Sequence, residues 1–142
     1  MKTITTLLSL LTLTSALAAP LHPRQLATSD TENDLTDGSA CKAVTVIFAR
    51  GTTESGNVGT LAGPPFFAAL ATDIGASNLA VQGVDYAADI AGFLEGGDPT
   101  GSQTMASLVE QAFSQCPSTK VVMSGYRYAL CPPRPLYIVS RF

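Results

Sequence analysis

Three apolar runs stand out between residues 43 and 126. The first, "AVTVIFA" (Ala43–Ala49), is nearly continuous and rich in β-branched residues, which predicts a strand buried on both faces. "NLAVQGVDY" (Asn78–Tyr86) and "TKVVMSGY" (Thr119–Tyr126) predict two further strands. Such runs are typical of a parallel sheet that is covered by helices on both sides.

Helical patterns occupy the stretches between these runs. "GPPFFAALA" places prolines at the start of an apolar segment, where a missing N–H costs little. In "TGSQTMASLVEQAFSQ" the apolar positions follow the i, i+3, i+4, i+7, i+8 spacing of one buried helix face: Met105, Leu108, Val109, Ala112 and Phe113. Residues 87–101, rich in Gly, Ala and Asp, are interpreted as a loop.

The order strand, helix, strand, helix, strand predicts an α/β fold of three layers, α/β/α, with a central parallel sheet. We expect this sheet to be truncated after its third strand. Three strands make a thin sheet, so its edges should be open and the apolar faces of the first and third strands partly uncovered.

The first forty residues have a different character. "MKTITTLLSLLTLTSALAAP" combines Lys2, a short apolar stretch and a small-x-small "ALA", which predicts a secretory signal over residues 1–18. The apolar stretch is too short for a membrane anchor, which needs about 20 residues. Residues 19–40 are polar and acidic, and we interpret them as a flexible leader or pro-segment. We therefore expect an extracellular protein.

Charge and cysteine content indicate which partners, cofactors and disulfides the chain can be expected to have. The 142 residues carry a formal net charge of -3, which gives no sign of a nucleic-acid partner. No metal-ligand spacing is present, and we expect no cofactor. Export permits disulfides, but the three cysteines (Cys41, Cys116 and Cys131) leave one thiol without an internal partner.

Candidate chemistry lies where the parallel strands end. The first strand runs into "RGTTESGNVG", whose glycines allow close approach of the backbone to a bound group. Thr52 and Thr53 can direct hydroxyl and backbone N–H groups at a developing oxyanion. The alternative interpretation is an ordinary Gly-rich connection with polar side chains.

The third strand leads into a sequence that departs from a nucleophile elbow. The elbow pattern is G-x-S-x-G between a strand and a helix. Here the frame starts at Gly125, but Arg127 stands where the serine should be, and Ala129 replaces the second glycine. Arg127 stays protonated and is a poor nucleophile.

These segments together resemble the first half of a fungal cutinase. The similarity covers residues 41–126 and rests on "FARGTTE-x-GNVG" and on "CP" at Cys116 ahead of "GY" at Gly125, where the family has "GYSQG". Cutinases are secreted serine esterases of the α/β-hydrolase type. Acetylxylan esterases are a weaker match, because their oxyanion loop differs and they carry more cysteines.

The resemblance implies roles for a few positions. Thr52 matches the side chain that helps to form the oxyanion hole, and Cys41 with Cys116 matches a disulfide pair. The nucleophile falls at Arg127 and the oxyanion glutamine at Tyr128, so neither is carried over. The family's aspartate and histidine come later than any residue of this chain.

A conventional triad cannot be assembled from these residues in any fold. Acyl transfer through serine or cysteine needs a general base, usually histidine, and the one histidine is His22 in the leader. The tail, residues 127–142, carries three arginines, no acid and three prolines. Because an intron that splits a serine codon after AG and begins GTATGC reads Arg-Tyr-Ala, we interpret this tail as translated intron.

The sequence therefore predicts a cutinase-family carboxylic ester hydrolase acting on cutin or other insoluble polyesters, monomeric and without a membrane anchor. As written, the chain should fold poorly and lack esterase activity. One alternative is a secreted non-catalytic protein that binds cuticle or a host partner. The other is a carbohydrate esterase similar to acetylxylan esterases.

Overall fold

The computed structural model describes residues 29–126 and, as backbone only, residues 137–139. The predicted signal segment and Arg127 lie outside the described residues. The helices and strands within them are β1 (Val44–Ala49), α1 (Gly63–Ile74), a 3-10 turn (Ala76–Asn78), β2 (Leu79–Gly83), α2 (Ile90–Leu94), α3 (Pro99–Gln115), β3 (Lys120–Gly125) and β4 (Tyr137–Val139).

A four-stranded sheet forms the centre, in the order β2-β1-β3-β4. β1 pairs in parallel with β2 and with β3, as the three apolar runs predicted. β4 pairs antiparallel with β3, with Val139 opposite Val121 and Tyr137 opposite Met123. The three predicted strands thus form the parallel part of the sheet, and the tail adds a short antiparallel fourth strand that the sequence did not predict.

Alternate residues of β1 build two separate cores. Val46 and Phe48 face α1, where the ring of Phe67 meets that of Phe48 edge-on at 5.2 Å between centroids. Ile47 and Ala49 face the opposite side and belong to the cluster that includes α3. This is the predicted three-layer arrangement. It also corrects the expectation of an uncovered first strand, since residues 46–49 of β1 are 0–2% exposed.

The long helix α3 agrees with its predicted periodicity. Asp98 caps its N-terminus, accepting hydrogen bonds from the N–H groups of Thr100 at 2.8 Å and Gly101 at 3.2 Å. Of the predicted face, Met105, Leu108 and Ala112 are buried. The loop prediction for residues 87–101 missed α2, which is only five residues long and begins at the N-cap Asp89.

Residues 30–36, which we call the edge segment, cover the outer edge of β2. Asn33 forms an antiparallel bridge with Gln82. The N–H of Gly83 donates to the carbonyl of Glu32 at 2.8 Å, and the N–H of Asp34 donates to the carbonyl of Val81 at 3.1 Å. These bonds satisfy backbone groups that an open edge would leave to solvent.

Side chains complete the attachment of the edge segment. The N–H of Val81 donates to Asp34 Oδ2 at 2.8 Å, and the amide oxygen of Gln82 accepts from the N–H of Leu35 at 3.2 Å. The Leu35 side chain is 5% exposed and belongs to the α3-side core. The flexible-leader prediction is thus wrong for this part of residues 19–40, and so is the prediction of an open edge at β2.

A disulfide joins Cys41 to Cys116, as the resemblance implied, with 5.5 Å between the two Cα atoms. It connects the chain just before β1 to the C-terminal end of α3. The bond closes a separation of 75 residues, for which the chain-entropy estimate of stabilisation is about 4 kcal/mol.

Candidate active site

The loop between β1 and α1 lies at the carboxyl edge of the parallel strands. Together with α2 and Tyr126 it surrounds an open groove of about 770 Å³. Its wall contains the predicted residues Thr52 and Thr53, along with Ile90 and Phe93 of α2. Tyr126, at the end of β3, also lines the groove, and its N–H donates to the carbonyl of Ala49 at 3.1 Å.

The carboxylate of Glu54 holds this loop together. Its Oε2 accepts from the N–H of Gly51 at 2.7 Å, and its Oε1 accepts from the N–H groups of Thr60 and Leu61, both at 2.9 Å. One side chain therefore joins the beginning of the loop to its end. A Cβ at Gly59 would lie about 2.5 Å from this carboxylate, and Gly59 also has a φ of 70°.

The environment of Glu54 favours its charged form. Partial burial raises the pKa of the carboxyl group, but hydrogen bonds from Leu61, Gly51 and Thr60, with the charge of Arg50, more than offset this. The net result is a pKa below the ordinary value of 4.5. We therefore expect Glu54 to be ionised at neutral pH and to remain an acceptor of all three bonds.

Arg50 anchors the loop from beneath. Arg50 is 9% exposed, and its guanidinium donates to the carbonyl of Glu54 at 2.9 Å and to that of Tyr86 at 2.6 Å. The guanidinium also lies over the Tyr86 ring, 5.1 Å from its centroid. The Tyr86 hydroxyl donates in return to the carbonyl of Arg50. Burial raises the pKa of Tyr86 to about 12.

Thr53 adopts a backbone conformation that is unusual for its residue type. Its φ is 66°, in the left-handed region, and its N–H donates to the carbonyl of Ala88 at 2.7 Å. Ala88 has a φ of 50° itself. Strain of this kind is found where the surrounding structure dictates the backbone, often at functional sites.

Thr52 differs from its neighbours in its hydrogen bonding. The N–H of Gly51 donates to the carboxylate of Glu54, and the N–H of Thr53 donates to the carbonyl of Ala88. Within residues 29–126, no hydrogen bond engages the N–H or the hydroxyl of Thr52, and the residue lines the groove. Two potential donors of one groove-lining residue are therefore not engaged by any described residue.

The rim of the groove is apolar. Leu61 is 67% exposed and Ile90 is 60% exposed, and Phe93 is also solvent-accessible. These three side chains come from the loop after β1 and from α2, so the helix that the sequence did not predict supplies two of them. An apolar rim around a pair of polar donors suits a ligand with a hydrocarbon body and an oxygen-bearing head.

The site residues predicted from sequence have separate outcomes. Thr52 lies in the groove, and the Cys41–Cys116 disulfide lies away from it, on neither wall. Arg127, at the position expected for the nucleophile, lies outside the described residues. Sequence reasoning missed Glu54, Arg50 and Tyr86. An acid among the glycines of "RGTTESGNVG" was the available signal for Glu54.

Comparison with known proteins gives a consistent picture. The sequence model of the family described as Cutinase matches residues 40–128. This range contains the groove loop and both cysteines of the disulfide. Among the residues that the structure describes, no helix has the length and apolarity needed to cross a bilayer.

Two curated relatives and one solved structure illustrate the similarity. The cutinases of Botryotinia fuckeliana and Monilinia fructicola are each 54% identical to this chain, over 80% and 84% of its length. The chain spans 54% of the length of either relative. The structure of Trichoderma reesei cutinase in complex with a C11Y4 phosphonate inhibitor superposes with a TM-score of 0.63 and 44% identity, over 71% of this chain and 43% of that one.

Proposed function

The chain belongs to the cutinase family, and we propose that it is the oxyanion-binding half of a secreted carboxylic ester hydrolase that acts on cutin. In this proposal Thr52 donates its N–H and hydroxyl to the oxyanion of the tetrahedral intermediate. A serine at the position of Arg127, in the full-length form, forms the acyl-enzyme.

The observation that carries this proposal is the hydrogen bonding around Thr52. Three residues in succession lie beside the groove, and the N–H groups of the first and third are engaged by Glu54 and Ala88. Preorganised donors that need no rearrangement during reaction are the main requirement of an oxyanion hole. The open groove and its apolar rim favour a bulky, water-insoluble polyester over a small soluble ester.

The chain as written lacks the remaining chemistry. Its one histidine, His22, lies in the predicted leader, and Arg127 cannot serve as a nucleophile. We therefore propose that the 142-residue chain does not hydrolyse esters by itself. Hydrolysis of a short p-nitrophenyl ester by the purified chain, above that of a heat-killed sample, would contradict this proposal.

A cDNA read across codon 127, from cells grown on cutin, tests the catalytic part. We expect the spliced message to encode Gly-Tyr-Ser-Gln-Gly from residue 125 onward, followed later by an aspartate and a histidine. In the restored protein, Thr52→Val should lower kcat/KM by about 10²- to 10³-fold, the range for loss of one oxyanion donor. A message that retains Arg127 would remove the esterase proposal for this gene.

A non-catalytic role is the second candidate, and the apolar rim favours it. Leu61 and Ile90 are exposed in this chain, and in this role the groove adheres to cuticle without hydrolysis. Retention of the soluble chain on cutin powder, with Leu61→Ser and Ile90→Ser reducing it, would support this role. We propose export and a monomeric state for both candidates, and sedimentation of the secreted protein tests the latter.

A further inference from the structure

Glu54 has a structural relation to the groove that extends the role assigned to Thr52. The residue is two positions beyond Thr52, and its carboxylate points back into the loop. It accepts from Gly51 on one side of Thr52 and from Thr60 and Leu61 on the far side of the loop. The backbone on either side of Thr52 is thus held by contacts in which Thr52 takes no part.

Two glycines show how closely the loop is fitted to this carboxylate. A Cβ at Gly51 would lie 2.8 Å from Glu54 Oε2, and one at Gly59 would lie 2.5 to 2.7 Å from its carboxyl atoms. Neither position can accept a side chain while the carboxylate remains in place. The loop is therefore built around the anion, in the manner of a backbone nest that encloses a ligand.

We propose that Glu54 is a positioning residue, an internal anion whose three backbone hydrogen bonds hold the loop so that the Thr52 donors face the groove. Because its carboxylate oxygens accept from the N–H groups of the loop itself, Glu54 acts through Thr52. The inference rests on the proposed oxyanion role of Thr52. A neutral glutamine at position 54 keeps the size of the side chain but accepts through one oxygen only, so the three bonds cannot all persist.

The charged and titratable groups near Glu54 influence the pH at which its carboxylate becomes protonated. They lie after β1, in the loop after β2 and at the end of β3: Arg50, Tyr86 and Tyr126. Arg50 is the positive charge among them, and it favours the carboxylate. We expect the loop to remain formed until the pH falls below the ordinary glutamate range.

Amide NMR of the ¹⁵N-labelled 142-residue chain tests the proposal without needing activity. The amide protons of Gly51, Thr60 and Leu61 should shift together in a pH titration, with one midpoint below 4.5. In Glu54→Gln this common titration should vanish, and hydrogen-exchange protection of the three amides should fall about tenfold or more. Glu110→Gln, an exposed site on α3, is the matched control and should change neither.

A second measurement uses n-butylphosphonate, whose anionic oxygens resemble a tetrahedral oxyanion. The Thr52 amide of the unsubstituted chain should respond to it, and Glu54→Gln should weaken this response about tenfold or more in apparent affinity. A purely structural role would lower stability equally across the fold without a common titration of three amides.

The outcomes separate the inference from the proposed function. If the three amides do not titrate together while Thr52 still binds the phosphonate, the positioning role of Glu54 is overturned and the oxyanion role survives. If the three amides titrate together but the Thr52 amide does not respond to the phosphonate, the positioning role and the oxyanion role both fail, because there is no oxyanion donor to position. An undispersed amide spectrum of the unsubstituted chain also overturns the inference, since the loop then does not form.

Discussion

The edge segment and the groove loop are both polar stretches, yet they use their polar groups differently. In the edge segment, carbonyl and side-chain groups pair with the backbone of β2, and Leu35 adds one apolar anchor. In the groove loop, Glu54 and Arg50 bind the backbone of the loop itself. The first arrangement covers an edge of the sheet, whereas the second leaves Thr52 with free donors among the described residues.

The two segments also touch each other. The carbonyl of Asp30 accepts from the N–H groups of Asn57 at 2.9 Å and Val58 at 3.0 Å. The side chain of Asn57 then accepts from the N–H of Glu32 at 2.9 Å. Hydrogen bonds from the side chains of Ser55 and Thr31 lower the pKa of Asp30. Loss of the edge segment should therefore loosen the part of the groove loop around Asn57 and Val58. Loosening of the groove loop should affect the edge segment less, because β2 also holds that segment.

Removal of the disulfide should have the largest effect. The double substitution Cys41→Ser and Cys116→Ser removes the covalent link between the chain that precedes β1 and the end of α3. The free energy of unfolding should then fall by about 4 kcal/mol. Urea unfolding monitored by circular dichroism measures this. Cys131→Ser is the matched control and should leave the value unchanged, and an equal loss in the control would show that the assigned pairing does not account for the stability.

Leu35→Ala tests whether the edge segment is part of the folded domain. A buried leucine truncated to alanine costs about 2 to 5 kcal/mol, so the urea midpoint should fall clearly. Leu94→Ala is the control, because Leu94 is 76% exposed and its loss should cost less than about 0.5 kcal/mol. Equal, small effects from both substitutions would mean that residues 30–36 are a detached leader after all.

Tyr86→Phe probes the groove loop and should have the smallest effect. Loss of the hydroxyl bond to Arg50 should cost about 1 kcal/mol at neutral pH. The direction of the pH dependence follows from the raised pKa of Tyr86. The folded state disfavours the tyrosinate, so the free energy of unfolding decreases as the hydroxyl group ionises. The contribution of Tyr86 is fully present below pH 10 and is lost as the pH rises toward about 12. The phenylalanine variant should lose less stability over this interval, and an identical decline in both proteins would contradict the assignment.

The strands, the two long helices and the disulfide pair were accessible from sequence for different reasons. A buried parallel strand needs an apolar run, and an amphipathic helix needs a periodic one, so "AVTVIFA" and Met105 to Phe113 each predict their own structure. The disulfide and the proposed role of Thr52 came from similarity to a known family. The helix α2 was missed because five residues are too few to display a period.

Two features depended on contacts between residues distant in sequence. From composition alone, residues 30–36 are predicted to be flexible. That prediction fails because their polar groups find hydrogen-bond partners on the unpaired edge of β2, which exists only in the folded chain. The sequence places Thr52 in a Gly-rich loop, but it cannot show which N–H groups are engaged. That selection depends on the fold, which brings the Glu54 carboxylate to Gly51, Thr60 and Leu61 and the carbonyl of Ala88 to Thr53. The sequence by itself thus determined the family, the central strands and the candidate residue, whereas tertiary hydrogen bonding decided which donors remain available to a ligand.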